Sequence, residues 1–143
     1  KAEAVLAQKE VEDIRSLVCD FFSALKLDDV SRITNCFHEN IEVGGEDNYS
    51  AERIEIYSNL QTRNGFWYNV FYCDNIKTRT HALPLNLITF HENMVDSNQI
   101  TKHVFYDSNA IGYIYYCNIT NAWLRLELQI VGGGLKITGL WRK

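Results

Sequence analysis

The chain has 143 residues, 46% hydrophobic and 13% aromatic, with 14 Lys and Arg against 18 Asp and Glu for a net charge of −4. That length and apolar content suffice for one domain spanning residues 1–143 with its own core, and the scattered, slightly acidic charge excludes the basic surface that nucleic-acid binding needs. No apolar run approaches the roughly 20 residues of a membrane-spanning helix, so neither nucleic acid nor membrane is an expected partner.

Val11, Ile14, Val18, Phe21, Phe22 and Leu25 recur at helical spacing, which predicts a long helix with one apolar face. Asp28-Asp29 interrupts it and can cap a shorter helix whose apolar face is Val30, Ile33 and Phe37. Ile41 and Val43 then alternate as in a strand. Ser50 is the expected N-cap of a third helix, with Ile54, Tyr57 and Leu60 facing inward and Asn64-Gly65 as the turn that ends it. Residues 66–73 are apolar at almost every position, so periodicity leaves helix and strand open, and the aromatic content favours strand. Leu83 to Phe90, Ile100 to Tyr106, Ile111 to Thr120 and Trp123 to Val131 read as strands. The last alternates most clearly, with Leu124, Leu126, Leu128 and Ile130 on one face and Arg125, Glu127 and Gln129 on the other. Gly132-Gly133-Gly134 supplies a hairpin turn, after which Leu135, Ile137 and Trp141 continue the buried face. The fold class is α+β: N-terminal helices, then a mostly antiparallel sheet with one face covered.

The four cysteines show no CxxC or metal-ligand spacing. Cys19 and Cys36 lie symmetrically about Asp28-Asp29, which predicts a disulfide joining the first two helices. In the chain-entropy model that bond is worth about 3 kcal/mol. A second bridge, Cys73–Cys117, is weaker because the strand adjacency is unspecified. A disulfide, the start at Lys1 rather than methionine, and two Asn-x-Ser/Thr triplets (Asn48-Tyr49-Ser50, Asn118-Ile119-Thr120) favour an extracytoplasmic protein. Four buried free thiols in a cytosolic protein is the alternative. The start at Lys1 fits either a processed protein or a domain of a longer one.

The order of elements resembles the nuclear transport factor 2-like superfamily, in which a strongly bent sheet wraps helices into a cone with a pocket at its open end. FFSALKLDDVSRITNCFHENIEV is similar to its opening helices and first strand, and LRLELQIVGGGLKITGLWRK to its closing hairpin. TRTHALPLNLITF is similar to the Thr-x-His strand start of the scytalone dehydratase and polyketide cyclase branch, and of dioxygenase small subunits. In the superfamily's steroid isomerases a first-helix tyrosine and an aspartate after the first strand act as oxyanion donor and base. Those places fall here on Phe21 or Phe22 and near Gly45, with Glu46 and Asp47 adjacent. Scytalone dehydratase pairs its histidine with a tyrosine and an aspartate. His81 matches the histidine, whereas the partners fall on Leu25 and Lys26.

His81 is therefore the candidate catalytic residue, an imidazole able to move a proton at neutral pH, with Tyr57 or Tyr113 as hydrogen-bond donor. A hydrogen-bonded or surface histidine is the competing reading. His38-Glu39 and His91-Glu92 read as solvated pairs. His38, His81, His91 and His103 lack the spacing of a metal site, and without a P-loop, GxGxxG or GxSxG no cofactor is expected. Tyr57, Trp67, Phe71, Tyr113 and Tyr115 are candidates to line a pocket for a small apolar molecule, against a packed aromatic core as the alternative. Ile111, Tyr113, Tyr115 and Cys117 share one strand face, and Ile114 and Tyr116 the other. That second apolar face needs cover, and in the superfamily it often forms a dimer interface, so a homodimer is expected. The functional expectation is a small-ligand-binding or dimerisation domain without a complete catalytic set. The alternative is a lyase, isomerase or cyclase using His81.

Overall fold

A computed structural model of the chain describes residues 2–4, 6–44, 49–73, 76–77, 82–83, 87–92, 95–104, 110–119 and 122–142. β1 (Ala2–Ala4) precedes α1 (Gln8–Leu27), α2 (Val30–Asn35), β2 (Phe37–Gly44) and β3 (Tyr49–Glu52). Then come α3 (Arg53–Thr62), α4 (Phe66–Tyr72), β4 (Ile76–Lys77), β5 (Ala82–Leu83) and α5 (Leu87–Glu92). β6 (Val95–Val104), β7 (Ile111–Ile119), β8 (Ala122–Val131) and β9 (Gly134–Arg142) follow.

The two aspartates do opposite jobs at the helix break. Asp28 adopts φ 54 and ends α1. Its N–H donates to Leu25 O at 3.2 Å while the Asp29 N–H reaches Ala24 O at 3.0 Å, a Schellman pair that satisfies two orphan carbonyls. Asp is among the few non-glycine residues that tolerate this left-handed backbone. Asp29 then caps α2, its carboxylate accepting from the Arg32 N–H at 3.2 Å. On α1 the buried residues are Ile14, Val18, Phe21, Phe22, Ala24 and Leu25, the stripe that helical spacing implies.

Among the described residues seven strands form one curled, unclosed sheet in the order β1-β6-β7-β8-β9-β2-β3. Every neighbouring pair is antiparallel except β2 with β9. The inner face of β8, Leu124, Leu126 and Leu128, lies in one core with the apolar stripe of α1. Burying each such side chain is worth about 1.5–3 kcal/mol. β9 carries a bulge, with Glu127 opposite Gly139 and Leu128 opposite Ile137. Thr138 is the extra residue, its hydroxyl donating to Glu127 O at 3.3 Å.

Phe37, expected on the second helix, opens β2, and Trp141, expected on the buried face, lies opposite Arg125 on the outer face beyond the bulge. Three further sequence expectations need correction. Residues 66–72 are helix, not strand. Trp67, Val70 and Phe71 point into the core at helical spacing, a period hidden because Phe66, Tyr68 and Tyr72 are also apolar and pack against that core. The strand expected from Leu83 to Phe90 gives way to α5, where Leu87 is buried and His91, one turn later, stacks on Phe22 at 4.1 Å. The third helix starts at Arg53 rather than after Ser50. Ser50 lies in β3, its hydroxyl donating to Glu42 across the hairpin at 3.0 Å. Leu60 is buried as expected, but Ile56 is the residue buried with it, while Ile54 is 62% and Tyr57 38% exposed.

A lock joins the two helix breaks. Arg63, also left-handed at φ 54, donates to the Asp28 carboxylate at 2.5 Å and to the Tyr68 hydroxyl at 3.0 Å. The Tyr72 hydroxyl donates to Leu25 O at 2.8 Å, satisfying a last-turn carbonyl of α1.

Candidate functional site

Of the three clefts among the described residues, none is lined by more than one of the five expected pocket residues. Trp67 and Phe71 are fully buried and pack edge-on and tilted with Phe21, Phe37 and each other at ring separations of 5.8–5.9 Å. They are core. Tyr115 is buried on the inner sheet face, where burial raises its phenol to about 12. Tyr57 stands outside, on the exposed side of α3, its hydroxyl accepting from Gln61 at 3.0 Å. Tyr113 alone of the five combines a buried ring with a place in the wall of a cleft that also holds Glu10 and Asp13.

That cleft, about 160 Å³, lies where the first turn of α1 meets β7 and the β8–β9 hairpin. Tyr113 donates to Glu10, Lys102 binds the same carboxylate at 2.8 Å, and the Ala7 N–H donates to it at 3.0 Å. The glutamate closes the N-terminus of α1 and ties it to β6 and β7. These donors, Lys102 first, hold its carboxyl at about 2, below the ordinary 4.5. Burial and the glutamate lift the Tyr113 phenol to about 12, so it stays a donor at neutral pH. A carboxyl depressed in the folded state stabilises the fold above its unfolded value, and loses that contribution as pH falls from about 4.5 through about 2. Glu10→Gln is expected to cost about 1–2 kcal/mol at pH 7 and to flatten the acid limb of the stability curve. Urea unfolding from pH 2 to 7 measures both.

His81 lies outside the described residues, as do Gly45, Glu46 and Asp47. Phe21 and Phe22, at the place of the isomerases' oxyanion donor, are fully buried hydrocarbon, and Leu25 is buried beside them. His91, read from sequence as solvated, is instead ring-stacked on Phe22, and its i, i+4 relation to Leu87 was the available signal. His38 stays local, pairing with Asn40. Among the described residues no group of three His, Cys, Asp or Glu could hold a metal.

The predicted Cys19–Cys36 disulfide is absent; all four cysteines are free thiols. Cys19 is exposed on α1, whereas Cys36 is buried at the end of α2, its Sγ donating to Arg32 O at 3.3 Å. Symmetric spacing about the break does not put two residues on facing sides of their helices. Burial pushes the Cys36 thiol to about 11 and Cys117 to about 12, far from reactive thiolates. The expectation of an extracytoplasmic protein loses its sulfur argument. Asn48 and Thr120 of the two sequons lie outside the described residues.

Two further clefts meet on the opposite side of the hairpin. A groove of about 610 Å³ is walled by Asn35, Asn40, Glu52, Arg53, Ile54 and Tyr57 among others. A smaller one of about 280 Å³ is walled by Phe37, His38, Val131 and Lys136, and both include Glu39 and Arg53.

The outer sheet face carries an aromatic platform. Tyr116 stacks on Trp123 at 6.1 Å, and the Arg125 guanidinium lies 4.7 Å from the Trp141 ring. Trp141 lies over Gly139, where a Cβ would come within 2.3 Å of the indole. Glycine at this position lets the ring lie flat on the sheet.

No protein-family model matches the sequence, and no curated protein does. Solved structures do match in fold. Aln2 from a Streptomyces species is 9% identical with a TM-score of 0.56, covering 98% of this chain and 94% of that one. A protein of unknown function with a cystatin-like fold from Nostoc punctiforme is 12% identical with a TM-score of 0.52, covering 97% and 93%. A nuclear transport factor 2-like protein from Cytophaga hutchinsonii is 9% identical with a TM-score of 0.50, covering 96% and 98%. At such identities the likeness is one of architecture, and with helices packed on a curled, unclosed sheet the chain has the cone fold of the nuclear transport factor 2-like superfamily.

Proposed function

We propose that this domain acts by association rather than by catalysis, pairing with a second copy through the outer face of β7, β8 and β9. The observation that carries this reading is the platform of Ile114, Tyr116, Trp123 and Trp141, all half-buried on the face away from the core. A sheet face turned to water is ordinarily polar, and a contiguous aromatic surface is the mark of an interface. Aromatic rings with an arginine are also the composition of interface centres. Phe21 and Phe22 support the same reading: at the place where the resemblance puts the isomerases' oxyanion donor they are buried hydrocarbon.

Light scattering of the purified chain tests it. The wild type is expected at dimer mass at micromolar concentration, and Trp123→Asp is expected to raise the dissociation constant at least ~10-fold by burying an unpaired charge in the contact. Circular dichroism confirms that the variant is folded. A wild type that stays monomeric to ~100 μM, or a Trp123→Asp protein that dimerises equally well, rejects the proposal.

A further inference from the structure

We propose that the trough formed by α2, β2 and α3 binds a small zwitterion, an amino acid or short peptide with an apolar side chain, with Arg53 taking its carboxylate. The trough exists because β2 parts from β9 at its start. Phe37 pairs with Ile137 and Glu42 with Gly139, so residues 38–41 stand against Thr138 alone. β3 joins β2 only from Asn40 onward, and the intervening stretch forms the waist where the two clefts meet at Glu39 and Arg53. The larger cleft, about 610 Å³, is of the size that small ligands occupy.

Arg53 sits in this waist with a side chain only 35% exposed, and among the described residues its hydrogen-bonding capacity is largely unspent. Nη1 reaches Phe37 O at 3.4 Å and Nη2 lies 3.9 Å from Glu39. The first is at the limit of a hydrogen bond and the second beyond it. A guanidinium offers five donors in a planar fork, and a carboxylate is the partner that accepts two of them at once.

Lys136 puts positive charge in the small cleft and Glu52 negative charge in the large one, beside the exposed Ile54 and Tyr57, with Glu39 and Arg53 common to both. Lys136 is itself anchored to Asn35 O, which holds its charge at the junction of the two clefts. A ligand whose carboxylate lies at Arg53 thus meets positive charge on that side. Its ammonium group meets Glu52 and Glu39, and its side chain lies on Ile54 and the Tyr57 ring. A phosphate dianion would bring two negative charges to the same glutamates with no ammonium group to offset them, whereas the zwitterion carries one of each sign. This site shares no residue with the sheet platform, so it stands or falls apart from self-association.

Calorimetric titration of the whole chain with leucyl-leucine tests the proposal, with N-acetyl leucyl-leucine amide and inorganic phosphate as the other arms. The free dipeptide is expected to bind, and the capped one at least ~10-fold more weakly, since it lacks both charges. Arg53→Lys should cost at least ~10-fold because a bidentate fork becomes a point charge. Tyr57→Ala, at an exposed position that leaves the fold intact, should cost several-fold. Absence of binding at millimolar dipeptide, equal binding of the capped peptide, unchanged affinity in a folded Arg53→Lys or Tyr57→Ala protein, or phosphate competing at equal concentration each overturns it.

Discussion

Trp67→Ala is expected to lower the unfolding free energy by about 3–5 kcal/mol, the range for removing a buried large aromatic. Trp67 is 1% exposed, with Phe66, Phe37 and Phe71 rings at 5.3, 5.9 and 5.8 Å, so truncation empties the junction between α4 and β2. A residue lining a ligand pocket behaves differently, because its loss enlarges a space that water already enters. Urea unfolding, read as a shift in midpoint at unchanged slope, measures the difference. Leu27→Ala, at a position 68% exposed, is the control and should stay within about 0.5 kcal/mol of wild type. A Trp67→Ala loss below about 1 kcal/mol would make the ring a pocket wall.

Gly65→Ala is expected to cost about 2–4 kcal/mol, from backbone strain and a lost cap together. Gly65 has φ 95 and ψ −178, a region nearly closed to residues with a Cβ. A Cβ there would also come within 2.7 Å of the Asn59 side chain, whose carbonyl oxygen accepts from the Trp67 N–H at 3.0 Å and caps α4. Gly133→Ala separates the two effects, since Gly133 also has positive φ (83) but open space around it. Its loss should be the smaller by about 1 kcal/mol, the worth of the cap. In an Asn59→Ala background Gly65→Ala should cost correspondingly less, because its clash and the cap share one partner. Equal losses at Gly65 and Gly133 would show that the Asn59 contact contributes nothing.

Much of the architecture was legible where one physical signal acted alone. Asp28-Asp29 marked both a helix end and a helix start because aspartate suits a left-handed C-terminus as well as an N-cap. The alternation of β8 placed Leu124, Leu126 and Leu128 inward because a strand's faces differ by single residues. Legibility failed where signals overlapped. Residues 66–72 are apolar around the whole helix, so the 3.6 period vanished from a segment that is helical, and its real determinant, the Asn59 cap at Gly65, lies outside it. Tyr57 lies outside because Ile56 and Leu60, four residues apart, form the buried stripe of α3. The Glu10–Lys102–Tyr113 cluster joins residues about a hundred positions apart, a distance that no local pattern spans. Arg53 likewise became notable only once the parting of β2 from β9 made a trough around it.

The proposed association places Trp123 and Trp141 in a contact between copies, while Trp67 lies in the buried core. The chain's three tryptophans report on both statements at once, since Trp67 is in the core and Trp123 and Trp141 are on the outer face. Acrylamide quenching of tryptophan fluorescence is therefore the direct measurement, made across a range of protein concentration. The predicted result is one shielded and two quenchable tryptophans in dilute solution, the two becoming shielded as concentration rises. Quenching of Trp67 at any concentration, or of Trp123 and Trp141 equally at all concentrations, would contradict it.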